Sequence, residues 1–200
     1  MTLAIRSRRL LRCERCGLAQ QLCLCAELPR IATTTSVMIL MHRNEVGRTS
    51  NTGRLALAVL ERGRVSIRGA PGVVPEPIPT GRRVVLFPLA DARELEAPDA
   101  DGPLTLVVPD GSWSQAKRML AREPWARAAE VVRLPASSRA SRYDLRRQNR
   151  PGAMCTFEAV ARALGVLEGP EVELEMLRVL DAFLVRVRHM RALGGQLRGG

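Results

Sequence analysis

Two groups of residues have the types and spacing that chemistry needs. The first is the run Pro109-Asp110-Gly111-Ser112-Trp113-Ser114-Gln115. It follows Leu104–Val108, a β-branched apolar stretch that reads as a buried strand, and precedes Ala116, Met119 and Leu120 at helical spacing. Ser112 and Gln115 form the S-x-x-Q pattern of a capping box. The run therefore sets a carboxylate at the carboxyl end of a strand, on a glycine turn, opposite a helix N-terminus. In α/β proteins that crevice binds ligands, and exposed helix amides favour anionic groups there. Asp110 is then either an acid facing a small polar ligand or a helix-capping acid; both readings stand at this point. The second group is Cys13-x-x-Cys16 followed by Cys23-x-Cys25. Two close pairs of thiolates can close a tetrahedral site of the structural-zinc kind. A disulfide pair or a redox C-x-x-C pair are the competing readings. No βαβ pattern surrounds the cysteines, and nothing points to an oxidising compartment. Cys155 stands apart in an apolar-flanked segment, as a buried or helix-capping thiol.

The elements that must position these groups alternate. Ser36–Met41 reads as a central strand with His42–Glu45 as the loop at its end, and Asn51–Arg62 as a helix stopped by Gly63. Val65–Arg68 and Val84–Pro88 read as strands, separated by a loop over 69–82 with four prolines. Asp91–Gly102 reads as an acidic surface loop and Glu130–Pro135 as a strand. Residues 136–154 form a long, basic, Ser- and Arg-rich loop carrying Tyr143, a length that in compact domains usually serves function. Cys155–Leu164 and Glu171–Leu193 are the last helices, the second with Met176, Leu180, Phe183, Leu184, Val187 and Met190 on one face and His189 on the surface. Alternating strands and helices predict an α/β fold with a mostly parallel sheet. Residues 1–30 form a small basic, cysteine-bearing module and 31–200 the main domain. No G-x-G-x-x-G or phosphate-loop lysine motif occurs, which disfavours dinucleotide-binding and nucleotide triphosphatase classes.

Charge narrows the partners. Thirty-one Lys and Arg against twenty Asp and Glu leave a net charge of +11. Basic residues recur over Arg6–Arg12, Arg43–Arg54, Arg62–Arg68, Arg139–Arg150 and Arg186–Arg198. Such a field attracts nucleic acid. With six aromatic residues, phosphate and shape contacts suit this chain better than a base-stacking platform. No run approaches the roughly 18 apolar residues of a membrane span, and no signal-peptide core follows the basic start. A cytoplasmic chain is expected.

Several segments together resemble the DTW-domain family, the tRNA-uridine aminocarboxypropyltransferases. They are Cys13-x-x-Cys16-x6-Cys23-x-Cys25, His42-x-x-Glu45, Asp110-Gly-Ser-Trp113, the Pro135–Tyr143–Arg146 stretch, and Cys155-Thr156-Phe157-Glu158-Ala159. They occur in the family's order from about 10 to 185. Ser112 stands where the family usually has Thr, and Cys155 where it has Ser. The resemblance implies a SPOUT-like knotted domain with S-adenosylmethionine held near the sheet's carboxyl edge. It further implies transfer of the 3-amino-3-carboxypropyl group to N3 of a uridine in tRNA, with 5′-methylthioadenosine as by-product. Asp110 is then the expected base or uracil-orienting group. Ser112, Trp113, Tyr143, Arg146, Thr156, Glu158, Ala159 and His42 are the expected cofactor contacts. Zinc on Cys13, Cys16, Cys23 and Cys25, with the basic segments, would hold the tRNA, and no obligate protein partner is implied. Ribosomal RNA as the substrate, a SPOUT-class methyltransferase, and a non-catalytic zinc-dependent RNA-binding protein are the alternatives.

Overall fold

The computed structural model describes residues 11–48, 50–100, 102–136, 140–145 and 153–196. Six strands, β1 (Ser36–His42), β2 (Gly63–Arg68), β3 (Arg83–Leu86), β4 (Arg93–Glu94), β5 (Thr105–Asp110) and β6 (Glu130–Arg133), form one sheet. Its order is β2-β1-β5-β3-β6-β4, and every pairing is parallel. Parallel sheets are covered on both faces, so their central strands read as unbroken apolar runs. Val37–Met41 and Leu106–Val108 are fully buried accordingly.

Alternation along the strands sorts side chains between two layers. Val37, Ile39 and Met41 of β1 and Leu106 and Val108 of β5 face the larger core, with α2 (Gly53–Val59), α4 (Thr156–Glu168) and α5 (Pro170–Gln196). Met38, Leu40 and Val107 face a smaller core that packs Phe87, Ala116 and Trp113 under α3 (Trp113–Arg122). The short helix α1 (Arg43–Val46) leaves the end of β1. The expected α5 stripe from Met176 to Met190 is buried, and His189 is exposed. Residues 69–82 carry no helix or extended strand.

Several strand and helix ends shift by a few residues, and the stretch expected as the loop His42–Glu45 forms the short helix α1, capped by the His42 ring; three further differences change the packing. The helix expected over Asn51–Arg62 spans only Gly53–Val59, because Leu60 turns out to bridge Ile31 beside the sheet. The helix from Cys155 runs on to Glu168, whose carboxylate accepts from the amides of Thr34 and Thr35. The segment Asp91–Gly102 is more than an acidic surface loop. It contributes the edge strand β4 and a 3₁₀ turn, buries Leu95, and holds the buried Asp99 between Arg82 and Arg93.

Residues 11–25 pack into the main core: Cys16, Leu18, Ala19 and Leu24 are buried with α2 residues. The knotted path implied by the family resemblance turns on the connection from β6 to α4, of which 137–139 and 146–152 lie outside the described residues.

Candidate active site

Strand order decides where a site forms. From β1 the chain turns toward β2 at one edge; from β5, the neighbour of β1, it crosses toward β6 on the other side. Connections that diverge from adjacent parallel strands leave a crevice at their carboxyl ends. Met41 pairs with Asp110 at that end.

Asp110 continues the Leu106–Val108 alternation, so its side chain points into the α2 and α4 layer, where it is 5% exposed. The Thr156 hydroxyl, from the first turn of α4, donates to its Oδ1 at 2.6 Å. Asn51 Nδ2, just before α2, donates to its Oδ2 at 2.6 Å. A buried charge needs such donors, because desolvation without them is costly. Gly53 completes the cradle: a Cβ there would lie 2.7 Å from Asp110 Oδ2, too close for a side chain.

A second cluster braces the first. The fully buried carboxylate of Glu158 accepts from the Ser141 hydroxyl at 2.6 Å, the Arg142 amide at 3.3 Å and Arg162 at 2.8 Å. These bonds fasten residues 140–145 to α4. Tyr143 is buried and donates from its hydroxyl to the Ser50 carbonyl at 2.9 Å, next to Asn51. Ala159 is half-buried against the main core. Cys155 is both buried and a cap: its sulfur accepts from the Glu158 amide at 3.5 Å, and burial pushes its thiol up to about 12. Arg146 lies outside the described residues.

The other face of the crevice carries His42, Ser112 and Trp113. Ser112 accepts from the Gln115 amide while Gln115 accepts from the Ser112 amide, so the capping box forms as read from the sequence. Trp113 tilts at 55° against Phe87, with ring centroids 5.1 Å apart, in the smaller core. His42 caps α1, its Nδ1 accepting from the Asn44 amide at 3.2 Å, which leaves the ring proton on Nε2. Burial first, then Arg43 and Arg118, lower its pKa, so the ring is neutral at pH 7. The structure thus splits the expected set. Asp110, Thr156, Glu158 and Tyr143 share one layer; His42, Ser112 and Trp113 line the opposite lip.

Sequence reasoning missed Asn51, Gly53, Ser141 and Arg162. The signal for the first two was present: Ser50-Asn51-Thr52-Gly53 places turn and cap types directly ahead of an apolar helix. What that signal lacked was the partner, 59 residues away on β5.

The cysteines converge. Their four sulfurs lie within 4.8 Å of one another, with Cys13 to Cys25 at 3.5 Å and Cys16 to Cys23 at 3.8 Å. These separations are too long for a disulfide bond of about 2.05 Å. They match the edge of a tetrahedron with metal–sulfur bonds of about 2.3 Å, roughly 3.8 Å. Gly17, at φ +76°, makes the turn after Cys16 that only glycine takes at low cost. The Cys16 amide is the main cause of a Cys13 thiol lowered to about 6, whereas burial raises Cys16 and Cys25. The residues present fit a zinc ion.

A model of the DTW domain family matches residues 10–188. The tRNA-uridine aminocarboxypropyltransferase 2 of Drosophila melanogaster is 30% identical over 181 residues, which cover 84% of this chain and 72% of that protein. The protein of the same name from Mus musculus is 31% identical, over 85% of this chain and 61% of its own length. The tRNA-uridine aminocarboxypropyltransferase A of Arabidopsis thaliana is 32% identical, over 84% and 77%. No solved structure matches the chain.

Proposed function

The chain belongs to the DTW-domain family, and on that premise we propose that it transfers the 3-amino-3-carboxypropyl group of S-adenosylmethionine to N3 of a uridine in tRNA. The observation that carries the reading is the buried Asp110 carboxylate at the β1–β5 crevice, held by Asn51 and by the half-buried hydroxyl of Thr156. S-adenosylmethionine supplies an electrophilic carbon beside a sulfonium. The N3–C bond forms as the C–S bond breaks, sulfur keeps the electron pair, and 5′-methylthioadenosine leaves. The N3 proton must go to a base. Asp110 is buried behind Thr156, so Thr156 Oγ1 takes that proton while its own moves to Asp110 Oδ1. The ionised carboxylate also offsets the sulfonium charge. His42 Nε2 is a fixed donor on the opposite lip, placed for a carbonyl oxygen of the uracil or the carboxylate of the co-substrate. Ser112 and Trp113 shape that lip. Glu158 and Tyr143 hold the 140–145 loop over the site, and Ala159 backs the first turn of α4.

Zinc on Cys13, Cys16, Cys23 and Cys25 is a structural ion in this reading. Arg43, Lys117, Arg118 and Arg122 are exposed and have no acid partner among the described residues, while Arg64, Arg93, Arg133 and Arg188 are paired. Of these, Arg43 and Arg118 lie close enough to His42 to lower its pKa, and the four unpaired cations receive the RNA backbone. No described helix is long and apolar enough to cross a membrane, and we place the protein in the cytoplasm with its tRNA.

The test is mass spectrometry of tRNA nucleosides and of small products after incubation with S-adenosylmethionine. Aminocarboxypropyluridine with methylthioadenosine is the expected pair. S-adenosylhomocysteine instead would convert the reading to methyl transfer, and no product with RNA still bound would leave a binding protein. Thr156→Val and Asp110→Asn should abolish transfer, with Thr156→Ser retaining it. Full activity in the first two would refute the relay.

A further inference from the structure

The cysteine knuckle grips both ends of α2. Arg54, in the first turn of α2, donates to the Glu14 carbonyl between Cys13 and Cys16 at 3.3 Å, and through its other terminal nitrogen to the Val46 carbonyl at 2.8 Å. From the knuckle itself, Arg15 donates to the Ala58 carbonyl in the last turn of α2 at 2.6 Å. The same first turn touches the reaction centre. The Arg54 amide donates to Asn51 Oδ1 at 2.9 Å, and Asn51 Nδ2 donates to Asp110 Oδ2 at 2.6 Å. Gly53, between them, lies against that oxygen.

A helix of seven residues does not hold its own shape in water and takes its position from what it packs against. Here that support is the core beneath, the Ile31 amide on the Val59 carbonyl and the Phe157 amide on Thr52 Oγ1, together with two guanidinium groups, one anchored in the knuckle and one reaching it. We propose that Arg54 and Arg15 are positioning residues through which the four-cysteine site sets the orientation of the Asp110 carboxylate. A loaded knuckle holds its Glu14 carbonyl and Arg15 in place, the two clamps fix α2, and Asn51 aims the carboxylate at Thr156. An emptied knuckle releases α2, and Asn51 with it. The inference rests on Asp110 as the carboxylate of the reaction.

The experiment uses the full chain and two independent measurements. Hydrogen exchange is followed at residues 53–60, where the Ala56 and Leu60 amides bond to Thr52 and Ala56, in zinc-loaded protein, after chelation, and in Arg54→Ala. Chelation and Arg54→Ala should each raise exchange in α2 by about tenfold or more while leaving the centre of β5 protected. Zinc content of Arg54→Ala should stay at one per chain. In kinetics, Arg54→Ala should lower kcat with KM for tRNA unchanged, Arg54→Lys should restore part of it, and Arg54→Ala should add nothing in an Asn51→Ala background. Should Arg54→Ala not fold, Arg15→Ala and Arg54→Lys carry the same comparison. Unchanged α2 exchange on chelation, or kcat losses of Arg54→Ala and Asn51→Ala that multiply, would overturn the proposal. If the wild-type chain makes no modified uridine, the proposed function fails, and the exchange measurement alone then decides whether the knuckle clamps α2.

Discussion

Gly53→Ala separates a local argument from a tertiary one. By helix propensity alone, alanine is better than glycine by up to about 1 kcal/mol, and the backbone at Gly53 is not in the left-handed region. Local reasoning therefore expects a more stable protein. The structure reverses the sign. The new Cβ would stand 2.7 Å from Asp110 Oδ2 and 3.2 Å from its Cγ, with Ile39 Cγ2 at 3.4 Å. The carboxylate must retreat by roughly half an ångström, and it cannot do so while keeping both of its 2.6 Å bonds to Asn51 and Thr156. Losing one hydrogen bond to a buried charge costs about 1.5–3 kcal/mol, so the net effect is destabilisation by about 1–2 kcal/mol. With a urea m-value of about 2 kcal/mol/M, the midpoint should fall by roughly 0.5–1 M at unchanged m. Activity should fall further than stability, because the displaced group is the reaction's carboxylate. Gly47→Ala, with nothing within 4 Å of its Cβ, is the control and should move the midpoint little. A Gly53→Ala protein that unfolds at higher urea than wild type, or keeps its kcat, would refute the reasoning.

Acid stability should carry the mark of Asp99. Hydrogen bonds from Arg93 hold its carboxyl down to about 2 in the folded chain, against about 3.9 unfolded. Its contribution, about 2–3 kcal/mol, is present above about pH 4 and lost as pH falls toward 2; Asp99→Asn should flatten that part of a stability-versus-pH curve. Cys155, with its thiol raised to about 12 by burial, should resist iodoacetamide at pH 8 in native protein and react once urea unfolds it; rapid native alkylation would contradict its placement. Replacing Lys117, Arg118 and Arg122 together by alanine should weaken tRNA binding and reduce the slope of log K against log salt by about 2–3. An unchanged slope would move the RNA to another face.

The chemistry-bearing residue types and the order of the elements were legible along the chain. Unbroken apolar runs such as Val37–Met41 report strands buried on both faces, S-x-x-Q reports a helix start, and paired cysteines at close spacing report their own convergence. Each of these signals is local, because it comes from a side-chain period or from groups a few residues apart. Which layer each functional side chain enters was decided only by tertiary structure. Asp110 and Trp113 are three residues apart, yet one faces α2 and α4 and the other packs on Phe87. The donors that hold Asp110 come from positions 51 and 156, because the strand order places β5 beside β1 and brings two distant helix starts to its end. Glu158 stands in the first turn of α4, as its position in the sequence implies, but its partners, Arg162 and the 140–145 loop, are set by the tertiary structure. The sequence by itself determined which groups could do chemistry; the parallel pairing and its crossovers determined which of them meet, since that depends on contacts between residues far apart in the chain.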